Sequence, residues 1–112
     1  MQIGKTGNEI LKATLEQAKL EGIVPQVYSH SLGYHGHAAG PTIGLWDMQN
    51  GVPGKGDYPV FDNTCYSIEL NIMKTIPEWD QQEIRIALEE DAVMIDGNVR
   101  WLDGRQTEFH LI

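Results

Sequence analysis

Two runs of alternating polarity dominate the second half of the chain. In Tyr66-Ser67-Ile68-Glu69-Leu70-Asn71-Ile72 every second residue is apolar, which predicts a half-buried strand with Ser67, Glu69 and Asn71 on its polar side. In Ile84-Arg85-Ile86-Ala87-Leu88-Glu89 the apolar stripe is Ile84, Ile86 and Leu88, so Arg85, Ala87, Glu89 and then Asp91 point the other way. Glu89 fits that polar face, whereas Glu90 would interrupt the stripe. Between the runs, residues 75–82 carry Pro77, Glu78 and Asp80, a composition suited to a turn. A single antiparallel hairpin centred near Trp79 would set Glu69 opposite Glu89, with their Cβ atoms about 5 Å apart. Two such carboxylates repel unless one is protonated, a cation lies between them, or the register differs.

Upstream the period becomes helical. Over residues 8–21, Ile10, Leu11, Ala13, Leu15, Ala18 and Leu20 recur at helical spacing among charged residues. Thr6 and Glu9 form the pattern of a capping box, and Gly22 supplies the left-handed position that ends a helix. The Leu11, Leu15, Ala18 face is expected to pack on a sheet. Residues 28–41, with Gly33, Gly36 and Gly40, predict a shaped loop with short extended pieces. Residues 42–62 read as a long irregular connection in which Asp47 and Asp57 serve turns. Further on, residues 92–95 and 99–102 flank Asp96-Gly97-Asn98 as a tight hairpin. Residues 107–112 alternate enough for a short last strand with His110 on its polar side. The fold class expected is α+β: a single domain over 1–112, its N-terminal helix packed on an antiparallel sheet.

Composition narrows the partners. Eight basic against sixteen acidic residues give a formal charge of −8, which disfavours nucleic acid and anionic membranes and suits cations or basic partners. The lone Cys65 cannot form an internal disulfide and is expected as a small core residue. No apolar span of about 20 residues is present, so a cytoplasmic setting is the expectation. His30, His35 and His37 lie within eight positions. Together with the carboxylate pair they point to metal binding, because neutral imidazole is a common transition-metal ligand.

With these motifs in order, the chain resembles the C-terminal half of the pita-bread metallopeptidases, the family of methionine aminopeptidase, Xaa-Pro aminopeptidase, prolidase and creatinase. His30-Ser31-Leu32-Gly33 followed by His37 is similar to that family's histidine-x-x-glycine segment and second histidine. Tyr66-Ser67-Ile68-Glu69 resembles its aromatic-Thr-Ile-Glu strand, and Arg85-Ile86-Ala87-Leu88-Glu89-Glu90-Asp91 its last ligand strand. The resemblance extends over nearly all the chain from Thr6. It implies that His30, Glu69 and Glu89 are metal ligands, that Glu69 also moves a proton, and that His37 contacts substrate or handles a proton. It implies Mn, Co, Fe or Zn as cofactor and a peptide cut near an Xaa-Pro bond as substrate.

Three departures stand beside it. Ser29 replaces the glycine usual before the first histidine, and Leu70 the proline usual after the first glutamate ligand. The family's two aspartate ligands lie upstream of its histidine, and none of the 29 residues before His30 is aspartate. The expectation is therefore part of a peptidase, inactive without the missing N-terminal half. The competing expectation is a non-catalytic metal-binding or interaction module whose homodimer covers the exposed sheet edge.

Overall fold

The computed structural model describes residues 1–108 and 110–112. Helix α1 (Gly7–Leu20) begins where the capping signals place it. The Thr6 hydroxyl accepts from the Glu9 N–H at 3.1 Å, and the Glu9 carboxylate accepts from the Thr6 N–H at 2.9 Å. Lys5 adds an ion pair to Glu9 at 3.0 Å. The bond from the Thr6 backbone, followed by that from Lys5, holds the Glu9 carboxyl below its ordinary range. A carboxyl lowered on folding contributes stability above its unfolded value, and that contribution fades as pH falls through the folded value. Thr6→Ala should cost about 1 kcal/mol in urea denaturation at neutral pH, the usual worth of an N-cap side chain.

At the other end Gly22 takes φ +71°. Its N–H reaches the Lys19 carbonyl at 3.2 Å while the Ile23 N–H reaches Ala18 at 2.9 Å, the paired closure of a Schellman motif. Leu11 is buried, and Leu15 and Ala18 are half-buried on the same side. Leu11 packs with Val27 and Ile43. A second cluster joins Val60, Tyr66 and Met94 beneath Ile10.

The sheet under the helix has six antiparallel strands: β1 (Val24–Val27), β2 (Ser29–Gly33), β3 (Gly36–Ile43), β4 (Thr64–Ile76), β5 (Gln82–Ile95) and β6 (Asn98–Trp101). Their order is β3-β2-β4-β5-β6, with β1 also on β4. β4 and β5 form one long hairpin closed by a 3-10 turn at Pro77–Trp79, and its register sets Glu69 against Glu89 as the alternation predicts. β1 and β2 lie along the other edge of β4 in a shared register, from Val24 opposite Met73 to Leu32 opposite Cys65. Even-numbered residues of β4 and β5 therefore face the helix, and odd-numbered ones face away. No helix among the described residues is long and apolar enough to cross a membrane.

Three expectations are corrected, and one strand, β1, was not expected. Residues 28–41 are not a loop with short pieces but the hairpin β2–β3, turning at Tyr34 and His35. Glycine and small residues carry no alternation, so only pairing, of β2 with β4 and of β3 with β2, reveals those strands. β1 was hidden by Pro25, which is tolerated because the strand is an edge. Its outer side is capped by the Gln49 amide, which accepts from the Val27 N–H at 3.0 Å and donates to its carbonyl at 2.7 Å. Cys65 lies within β4, half-buried on the face away from the helix. In the expected last strand, Thr107, Glu108 and His110–Ile112 form none, and Phe109 lies outside the described residues. An alternating run becomes a strand only where a neighbouring edge takes up its backbone groups.

Candidate functional site

The sheet face away from α1 collects the polar side chains. Register alone brings them together: His30 lies opposite Ser67, Ser67 opposite Asp91, and Glu69 opposite Glu89. Glu69 is anchored first through its backbone. Its N–H donates to the Ser29 hydroxyl at 3.0 Å, and its carbonyl accepts from that hydroxyl at 3.0 Å and from the Tyr28 N–H at 3.1 Å. Ser29 is buried and replaces a strand-to-strand bond where β1 gives way to β2. The serine that departs from the family pattern thus holds the β4 backbone at the first carboxylate.

The side chain of Glu69 meets His30, with Oε1 at 2.8 Å from Nε2. On the ring's other side Nδ1 lies 2.8 Å from the Ser31 carbonyl. A carbonyl can only accept, so Nδ1 carries a hydrogen, and the 2.8 Å contact needs one proton, or another cation, between Nε2 and Oε1. His37 stacks on His30 with ring centroids 3.8 Å apart and remains exposed. Of the three ways to relieve the Glu69 and Glu89 repulsion, a different register is eliminated. Each carboxylate instead has its own partner, because Glu89 Oε1 accepts from the buried Ser67 hydroxyl at 2.9 Å.

The structure places Glu90 on the helix-facing side opposite Ile68, with Oε2 buried and unbonded among the described residues. Face therefore separates the two neighbouring glutamates, and Glu89 is the one that looks onto the site. His35 packs edge-on against Tyr34 at the β2–β3 turn, away from Glu69 in the register. Asp57 does turn chemistry, accepting from the Gly54 N–H at 3.0 Å and the Asn8 amide at 2.9 Å. Glu89 borders a cleft of about 560 Å³ closed by residues 102–108 and exposed His110.

The donors present suit a divalent cation in kind: one imidazole whose outer nitrogen is fixed by a carbonyl, as metal-bound histidines are, and two carboxylates beside it. As the side chains stand, no three His, Cys, Asp or Glu groups among the described residues converge closely enough to hold an ion. Glu89 is exposed and turned toward Ser67. Ser29 and Ser67 are the site residues that sequence reasoning missed. Ser67 had a signal, since it lies two positions before Glu69 on the same polar stripe, whereas Ser29 acts only through a neighbouring strand. Lower on this face, Arg85 donates to the Gln26 side-chain oxygen at 2.9 Å, and Asn71 donates to that same oxygen at 2.9 Å. Comparison with protein-family models, curated proteins and solved structures returns no match for this chain.

Proposed function

We propose that this chain forms the C-terminal half of a pita-bread metallopeptidase, acting near Xaa-Pro bonds once further aspartate ligands are supplied from outside these residues. The observation that carries the reading is the His30 Nε2 contact with Glu69 Oε1, with Nδ1 committed to a carbonyl and Glu89 directly across the ladder. His30, Glu69 and Glu89 would hold a divalent ion such as Mn, Co, Fe or Zn, Glu89 exchanging its Ser67 hydroxyl for it. When bound, such ions polarise the peptide carbonyl and lower the pKa of a water.

The chain's own residues have separable duties in this reading. Glu69, besides holding the ion, would move a proton at its other carboxylate oxygen, its backbone fixed by Ser29 and Tyr28. Ser31 sets the His30 tautomer through its carbonyl. His37, exposed and stacked on His30, offers its imidazole to the substrate. Without the aspartates the chain is expected to bind an ion and not to hydrolyse peptides.

Titration calorimetry with Co or Mn tests this. One ion should bind per chain, and Glu69→Ala should weaken it by about tenfold to a hundredfold or more, the range for disturbed metal shells. A heat signal indistinguishable from dilution for the unsubstituted chain would sink the proposal.

A further inference from the structure

β5 pairs with β4 from Gln82 to Met94, but on its outer side β6 covers only Ala92 to Ile95. One more bond, from the Leu102 N–H to the Asp91 carbonyl at 2.9 Å, closes that stretch. The cleft lined by Glu89, Glu90, Asp91 and residues 102–108 shows the chain running past this point. From Gln82 to Leu88 the outer backbone groups of β5 have no partner among the described residues. The Asp91 carbonyl points outward, so by alternation those of Glu83, Arg85 and Ala87 do too. The helix-facing side of this edge is apolar and uncovered: Ile86 is 44% exposed and Leu88 56%. An open edge without proline, beside exposed aliphatic side chains, is a template for another strand.

We infer that this edge pairs with the same edge of a second copy of the chain, antiparallel about a two-fold axis at Ile84. Charge selects both the partner and the register. With the axis at Ile84, Glu83 of each copy faces Arg85 of the other, twice by symmetry, and each pair exchanges both its backbone hydrogen bonds. Moving the axis to Glu83 or to Arg85 sets like charges face to face. At Ile86 it opposes Glu83 to Glu89, and at Ala87 it opposes Glu83 to Asp91, whose carbonyl is already taken by Leu102. An axis at Leu88 would pair Arg85 with Asp91, beyond the open stretch and with its carbonyl already bonded, so within the open stretch only the Ile84 register gives opposite charges without a like-charged pair. It also brings the two Ile84 side chains together at the close, non-hydrogen-bonded position, so the aliphatic strip runs on from one sheet to the next. In this pairing the Arg85 guanidinium, which in the single copy reaches across β4 to Gln26, turns outward to Glu83 of the second copy. The inference is independent of metal binding.

Light scattering across a concentration series tests it. The unsubstituted chain should approach twice the mass of one copy as concentration rises. Glu83→Arg and Arg85→Glu should each raise the dimer dissociation constant on the order of tenfold or more, since each turns two attractive cross-strand pairs into repulsive ones. The double variant E83R/R85E recreates the pairing with the signs exchanged and should restore the dimer. A chain that stays monomeric at every concentration, a dimer indifferent to the single variants, or a double variant that remains monomeric would each overturn the inference.

Discussion

Gly44→Ala is expected to be the most damaging single-methyl change in this protein, lowering stability by on the order of 4 kcal/mol. Two costs add. Gly44 has φ +73°, where a side chain adds about 1–2 kcal/mol of strain. A Cβ there would also lie 2.2 Å from the Val27 carbonyl oxygen and 3.0 Å from Leu11 Cδ1. The first of these atoms is backbone in the strand leading to His30, so it cannot swing aside as a side chain would. Urea denaturation followed by circular dichroism reads the loss as a lower midpoint with an unchanged slope. A cost below about 1 kcal/mol would mean that β1 and the turn after β3 can separate without disturbing the core, contrary to their packing here.

Leu11→Ala should follow at about 3 kcal/mol, through the lost burial and the cavity left behind. Leu11 is 1% exposed and joins α1 to Val27 and Ile43, the residues that seat β1 and β3. The reach of the effect matters more than its size. Those strands flank β2, so loosening the Leu11 contact frees the segment that carries His30 against Glu69. A small domain is stable by only about 5–15 kcal/mol, so a loss of this size should lower the thermal midpoint by on the order of 10–20 °C. The two substitutions should not add: without the Leu11 side chain, one of the atoms in the way of a Gly44 Cβ is gone. A double variant as unstable as the sum of the singles would show that the two positions do not share this contact.

Destabilisation of this kind and loss of the proposed metal site have different signatures. Leu11→Ala disturbs His30 only as the strands loosen, so divalent-ion affinity should recover on cooling toward the temperature of greatest stability. Glu69→Ala removes a donor and should weaken binding at every temperature at which the protein is folded.

Local rules were enough where the chain interacts with itself over a few positions. Thr6, Glu9 and Gly22 determined the ends of α1, because capping joins residues three to five apart. The alternation in β4 and β5, with turn residues midway, determined that Glu69 and Glu89 share a face and a cross-strand position. Period two fixes the face once one side is buried, and the position of the turn sets the register. The same rule separated Glu89 from Glu90. What depended on tertiary structure was everything set by a neighbouring strand without a pattern of its own. β1 and the β2–β3 hairpin contain proline and glycines, and only pairing organises them, β1 and β2 on the edge of β4 and β3 on β2. Residues 107–112 alternate yet find no edge to join. Sequence could place His30, Glu69 and Glu89 on one list of donors. The fold decided that His30 is in contact with Glu69, that Ser67 holds Glu89, and that Ser29 anchors the β4 backbone between them. Those bonds connect residues 22 to 40 positions apart, and only the meeting of three strands brings them within reach.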